Sequence, residues 1–118
     1  MESTAGLIKL SRGHEKDLEE WRETLQSRKA EALEALKREH VELECWFEIE
    51  IEGEPYLLWF IRVESMEKAR ELYASSPLDI DTFHKAKMDK LIDHKIEANL
   101  LLELQNITPP PNGQPKKS

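Results

Sequence analysis

The chain has 118 residues, of which 39% are hydrophobic and 35% charged, and its formal net charge is −7 at pH 7. This length is typical of a single domain built around one hydrophobic core. The acidic balance disfavours nucleic acid as a partner, because it repels phosphate groups. No apolar run approaches the roughly 18 residues that span a bilayer, so we expect no membrane association.

Signatures of secretion, metal binding and cofactor binding are not found in the sequence. The segment MESTAGLIKLSRG has neither the basic start nor the long apolar run of a secretion signal, so we expect a cytoplasmic protein. Cys45 is the only cysteine, which excludes an internal disulfide bond and a multi-cysteine metal site. Glycine-rich nucleotide loops, a nucleophile elbow and the HExxH pattern are also missing. We therefore predict no metal and no cofactor.

A short strand and a long helix are predicted first along the chain. Residues 7–12 can form the strand, and residues 14–40 contain neither Gly nor Pro and carry apolar side chains at helical spacing. Arg28 and Lys29 interrupt this apolar stripe. Either their aliphatic stems lie along the edge of the core with their charges in water, or Arg28 points its guanidinium into a cavity beneath the helix.

A β-hairpin follows. Residues 41–52 alternate between apolar side chains and glutamates, which predicts a half-buried strand, and GEP then supplies a turn before the apolar strand YLLWFIRVE. We place Glu52 opposite Pro55, which pairs Phe47 with Phe60 and Trp46 with Ile61. The acidic face is predicted to be mostly solvated, and it consists of Glu42, Glu44, Glu48, Glu50 and Glu52.

Two more helices and a closing strand complete the predicted domain. Ser65 can cap a helix over MEKARELYAS, Pro77 ends it, and a third helix begins near Asp81 as its N-cap. Alternating apolar residues predict a closing strand over 96–105, with a helix over LLLEL as the alternative. Residues 1–107 then form one domain, and the Pro-rich residues 108–118 form a disordered tail.

This succession predicts an α+β fold of the ferredoxin-like βαββαβ type, with a four-stranded antiparallel sheet and helices on one face. The sheet face that holds Trp46, Leu57 and Ile61 is too apolar at its centre to face water. We expect a second copy of the chain to cover that face, which makes the protein a homodimer.

Three segments of the chain carry a resemblance to known proteins. RKAEALEAL (28–36), GEPYLLWFIRVESMEKARELY (53–73) and SPLDIDTFHKAKM (76–88) resemble a small bacterial family of unknown function within the dimeric α/β-barrel superfamily. The likeness spans roughly residues 7–95. That superfamily includes cofactor-free monooxygenases, sugar mutarotases and regulatory proteins, so the resemblance implies an architecture more than an activity.

His84 is the candidate catalytic residue. It shares a helical face with Ile80, Met88 and Leu91, so its imidazole is expected to point inward from the first turn. Burial and the helix dipole would keep the ring neutral, either as a base for proton transfer or as a hydrogen-bond donor. Alternatively, the histidine only closes the helix onto the sheet.

Three functions remain open. We favour a cavity that binds a small organic ligand without chemistry, and the alternatives are a cofactor-free enzyme, monooxygenase-like or mutarotase/isomerase-like, in which His84 transfers protons, and a structural module without a pocket. The predicted ligand-binding residues are Trp21, Arg28, Trp59, Tyr73 and Asp81.

Overall fold

The structure is a computed structural model that describes residues 1–106, so the predicted tail at 108–118 lies outside the described residues. The described residues form four strands and four helices. They are β1 (Glu2–Leu10), α1 (Glu15–Ser27), α2 (Lys29–Arg38), β2 (Val41–Ile51), β3 (Glu54–Val63), α3 (Met66–Ala74), α4 (Asp79–Leu91) and β4 (Ile92–Glu97).

The strands form one sheet in the order β2-β3-β1-β4, and every neighbouring pair is antiparallel. The α+β class and the four-stranded antiparallel sheet are therefore confirmed. Among residues 1–106, no helix is both long and apolar enough to cross a bilayer.

The β2–β3 hairpin has a different register from the predicted one. Glu50 pairs with Pro55, and Trp46 pairs with Trp59, a displacement of two residues. The physical reason lies in the turn, where Glu52 (φ 51°) and Gly53 (φ 78°) both adopt positive φ and form a two-residue loop. Because side chains alternate with a period of two, this displacement changes the cross-strand partners but keeps the same side chains together on each face of the hairpin.

The helices cover the opposite sheet face from the one that we predicted. Ile8, Leu57 and Val63 are buried, whereas the apolar face of β2 is open and leaves Phe47 52% exposed. Both faces of the central strand are apolar, so alternation alone could not decide which face receives the helices.

The predicted long helix is two helices that meet at Arg28. The backbone of Arg28 leaves helical geometry (φ −105°, ψ 37°) at the point where the apolar stripe is interrupted. Without apolar side chains at that turn, little packing energy holds the helix straight. The break lets α1 bury Trp21 and α2 bury Ala35 separately.

Two predicted boundaries were also wrong. Helix α4 begins at Asp79 after the extended Leu78, so Asp81 lies inside the first turn and is not the N-cap. Strand β4 ends at Glu97, and residues 98–106 have no regular structure although they alternate in polarity. The predicted continuation of this strand to residue 105 fails because the segment pairs with β1 only as far as Ala98, whose amide donates to the carbonyl of Ala5.

Candidate functional site

A cavity of about 630 Å³ lies between the sheet and helices α2, α3 and α4. Trp59 and Ile61 of β3 form part of its sheet side, and Ala32, Ala35 and His84 form part of its helical side. Ligand sites for small organic molecules typically enclose roughly 300–1,000 Å³. The volume of this cavity lies within that range.

Small residues on the surrounding elements create this space. Ala35 and Ala69 are buried on α2 and α3, where larger side chains would fill the interior. The Trp59 indole lies over Gly6 of β1, and a Cβ atom at Gly6 would be only 2.8 Å from three atoms of that ring. Glycine at this position therefore allows the indole to lie close against the sheet.

A hydrogen bond fixes the protonation pattern of His84. The indole Nε1–H of Trp21 donates to Nδ1 of His84 over 2.9 Å. Because Nδ1 accepts, the neutral ring carries its proton on Nε2. This second nitrogen has no hydrogen-bond partner within residues 1–106.

Burial determines the charge of the same ring. It lowers the pKa of His84 to about 4, and the nearby Asp81 carboxylate only partly opposes this effect. The ring is therefore neutral at pH 7. With Nδ1 already bonded and little affinity for a proton, His84 is a poor general base but a good hydrogen-bond donor through Nε2.

Aromatic rings surround the imidazole. The ring centroids of Trp46 and Tyr73 lie 5.8 and 5.9 Å from that of His84, both edge to face. Trp21 packs edge to face on Trp46 at 5.1 Å. The Nε1–H of Trp46 is buried without a hydrogen-bond partner in the described part of the chain. Since buried polar groups are normally paired, this N–H depends on the nearby Glu44 carboxylate, which it approaches without a hydrogen bond of normal geometry.

Five carboxyl groups line the cavity, those of Glu39, Glu44, Asp81, Asp89 and Glu97. Asp81 is buried and accepts a hydrogen bond from the Ser76 hydroxyl at 2.5 Å. Burial, together with repulsion from Asp81 and Glu44, raises the pKa of Glu39 to about 7. Burial also raises the pKa of Glu44, and the nearby Trp46 N–H partly offsets that rise.

Tyr73 stands among the same acids. Burial and the negative charges of Asp81, Glu39 and Glu44 raise the pKa of its phenol. The phenol therefore keeps its proton at pH 7. Among the described residues, no group of three or more His, Cys, Asp or Glu side chains is placed to hold a metal ion.

The structure brings together most of the predicted site residues. Trp59, Tyr73, Asp81 and His84 all line the cavity. Trp21 lies behind His84 and positions it, whereas the structure does not bring Arg28 to the cavity wall. The guanidinium of Arg28 instead donates to both carboxylate oxygens of Glu31, at 2.6 and 2.7 Å.

Sequence reasoning missed Glu39, Glu44 and Trp46. Most glutamates on the acidic face of β2 are exposed, as predicted, and the exception is Glu44, which lines the cavity. The signal was present in the alternation, because Glu44 and Trp46 share one face of β2 and Trp46 pairs with Trp59. This alternation assigns Glu44 and Trp46 to the cavity only if the helices lie over that face of the sheet.

A comparison with models of protein families assigns the chain to a family. A family model described as a family of unknown function, DUF6176, matches residues 1–112. The chain belongs to this family. The DUF6176 match agrees with the predicted membership of a family of unknown function, while bacterial origin and the superfamily stay predictions. No curated protein and no solved structure matches the chain.

Proposed function

We propose that the protein binds a small organic ligand in the cavity between the sheet and the helices. The observation that carries this proposal is the free donor Nε2–H of His84 on the wall of a cavity of about 630 Å³, close to the aromatic rings of Trp46 and Tyr73. A donor without a protein partner favours a ligand or water that accepts from it.

The proposed role of His84 is to donate a hydrogen bond to an acceptor atom of the ligand. Proton transfer by His84, as in a cofactor-free enzyme, is the less favoured function. The bonded Nδ1 and the pKa of about 4 both argue against a base that works near neutral pH.

Tryptophan fluorescence tests the binding proposal directly. The three tryptophans of the chain are Trp46 and Trp59 on the cavity wall and Trp21 in contact with Trp46. A ligand in the cavity should therefore change the intrinsic emission and raise the melting temperature. A library of small organic compounds is titrated with both readouts.

A matched pair of variants on α2 distinguishes cavity binding from surface binding. Ala32→Phe places a ring in the cavity and should abolish binding, whereas Ala30→Phe adds the same ring at an exposed position outside the cavity lining. Equal binding by both variants would contradict the proposed site, as would a library in which no compound binds.

We also propose that the protein is a ferredoxin-like homodimer of the dimeric α/β-barrel superfamily. The sheet order β2-β3-β1-β4 supports the fold assignment, as does the element succession, which is βαββαβ when α1–α2 and α3–α4 each count as one helical segment. The open sheet face supports the dimer, because apolar side chains there remain in water in the single chain. Large apolar side chains exposed on β2, on β4 and in the following segment are Leu43, Phe47, Ile49, Ile51, Ile96, Leu100, Leu101, Leu102 and Leu104.

A further inference from the structure

We propose that the ligand is a small organic cation, an amine carried on an apolar and preferably aromatic body. This inference rests on the proposed ligand-binding function and adds the charge and shape of the ligand. It follows from the way in which carboxylates and aromatic rings share the cavity.

The carboxyl groups of Glu39, Glu44 and Asp81 come from three separate parts of the chain and all line the cavity. Glu39 follows α2, Glu44 belongs to β2, and Asp81 belongs to the first turn of α4. The ion pairs of residues 1–106 involve none of the three. Buried and half-buried carboxylates usually have a cationic partner, so these three groups contribute negative charge that no ion pair of the described residues neutralises.

The carboxylates of the cavity outnumber its cations, since the lining holds Glu39, Glu44, Asp81, Asp89 and Glu97 against Arg70, Lys85 and Lys95. Arg38 donates to the carbonyl of Leu72 at 2.8 Å. Lys85 donates to the carbonyl of Ala74 at 3.4 Å, and its ammonium lies 4.6 Å from the centre of the Tyr73 ring. Both cations lower the pKa of Glu39, but the combined effect of burial, Asp81 and Glu44 is larger, and the pKa remains at about 7.

The arrangement favours an organic cation over a metal ion. The described carboxylates do not form a group that could hold a metal ion, whereas an ammonium group with several donors can reach carboxylates that are spread over a cavity wall. Trp46 and Trp59 provide the aromatic surface against which an apolar body can stack. Aromatic faces also attract ammonium groups directly, most strongly in a site without water.

Three probes of nearly equal size test the charge preference. Benzylamine, benzyl alcohol and benzoate are titrated at pH 7, with intrinsic fluorescence as the readout. Benzylamine should bind about tenfold more tightly than benzyl alcohol, and benzoate should bind most weakly. Equal or tighter binding of the alcohol or benzoate would overturn this inference while supporting the ligand site. Binding of none of the three at millimolar concentration would overturn both.

Variants at the carboxylates test whether Glu44 binds the amine of benzylamine. Glu44→Gln should weaken benzylamine binding by about tenfold and leave benzyl alcohol binding unchanged. Glu48→Gln is the matched control, because Glu48 lies on the same face of β2 but is exposed and outside the cavity lining. If Glu44→Gln and Glu48→Gln bind benzylamine equally well, Glu44 does not face the amine and the inference is wrong.

Proton release provides a second, independent readout. A bound ammonium should lower the pKa of Glu39 from about 7, so benzylamine binding at pH 7 should release a fraction of a proton to the buffer. Calorimetry in two buffers of different ionisation enthalpy measures that fraction. Glu39→Gln should abolish the release, and benzyl alcohol should cause none. Benzylamine binding without a difference between the two buffers would contradict the placement of the amine beside Glu39.

The other charged groups that act on Glu39 are known from the structure. They are Asp81 and Glu44, which raise its pKa, and Arg38 and Lys85, which lower it. Since all four remain in the Glu39→Gln variant, any release that persists in it belongs to one of them and would contradict the assignment to Glu39.

Discussion

The hydrogen bond between Trp21 and His84 determines what the cavity can offer a ligand. It holds the imidazole by Nδ1 and leaves the Nε2 proton as the only polar contact of the ring that is still available. Replacing either partner therefore changes both packing and hydrogen bonding. The charge state of the ring can be tested separately, through the pH dependence of stability.

His84 should make the folded state less stable in acid. The unfolded histidine takes up a proton as the pH falls through 6.5, whereas the folded one does so only near pH 4. Its contribution is complete above pH 6.5 and is lost between pH 6.5 and 4, by up to about 3 kcal/mol. Urea unfolding at several pH values should show a steeper loss of stability for the natural protein than for His84→Gln.

Glu39 contributes with the opposite sign in the same range. Its raised pKa means that stability is lost as the pH rises from 4.5 to 7. Because Glu39 is present in both proteins, its effect cancels in the comparison with His84→Gln. Parallel pH profiles for the two proteins would show that His84 is not buried as a neutral ring.

Gly6 is predicted to be essential for the position of Trp59. Gly6→Ala would place a Cβ atom 2.8 Å from the Trp59 ring, so the indole must move into the cavity. We expect a loss of about 1–3 kcal/mol in the free energy of unfolding. The same substitution in a Trp59→Leu background should cost much less, because the ring is gone. Equal costs in both backgrounds, measured by urea unfolding, would contradict this contact.

Single-residue patterns predicted about half of the site. The helical spacing of Asp81 and His84 placed two side chains at the cavity, whereas the alternation of β3 did not tell whether the face of Trp59 lies beneath the helices. Glu44 and Glu48 have the same place in the strand pattern, yet only Glu44 lines the cavity. Helix α2 contacts β2, and this packing between distant elements is not encoded in the alternation of the strand.

At the scale of secondary structure, the start of α4 depends on a hydroxyl group that substitutes for a cap. The N-cap Leu78 provides no side-chain hydrogen bond. The Ser76 hydroxyl instead accepts from the Leu78 amide at 3.2 Å and donates to the buried Asp81 carboxylate at 2.5 Å. Ser76 thereby joins the loop to the first turn of the helix.

Removal of this hydroxyl should destabilise the protein. Ser76→Ala leaves the Asp81 carboxylate buried without a donor, and we expect a loss of about 1–3 kcal/mol. Ser75→Ala is the control, because Ser75 is exposed and its hydroxyl bonds only to the carbonyl of Glu71. Thermal unfolding of both variants measures the difference. Equal melting temperatures would show that Ser76 does not support Asp81.

The elements themselves were largely predictable, and their ends were not. Periodicity identified the hairpin and the helices, but the break at Arg28 and the turn at Glu52 and Gly53 depend on backbone angles that several sequences can adopt. Strand β4 ends at Glu97 although β1 extends on to Glu2, beyond the pair Gly6–Glu97. The alternation of the segment 96–105 does not mark this end.

At the scale of the whole molecule, the sheet presents two apolar faces and only one layer of helices. The helices cover Ile8, Leu57 and Val63, and the opposite face leaves Phe47 and Ile49 52% and 39% exposed. A second copy can cover that face by a symmetric contact, since each chain contributes the same apolar surface. The cavity lies on the helical side, so this contact would leave the ligand site in each subunit intact.

Phe47→Asp should separate the proposed dimer into monomers. A carboxylate on the open face would be buried without a partner in the dimer, which should weaken association by about 2 kcal/mol or more. The ring is half exposed in the single chain, so the variant should keep the circular dichroism spectrum of the natural protein. Light scattering at micromolar concentration should give twice the chain mass for the natural protein and the single mass for Phe47→Asp. The control variant Glu50→Gln should also give twice the chain mass. A monomeric natural protein, or a dimeric Phe47→Asp variant, would exclude the open face as the interface.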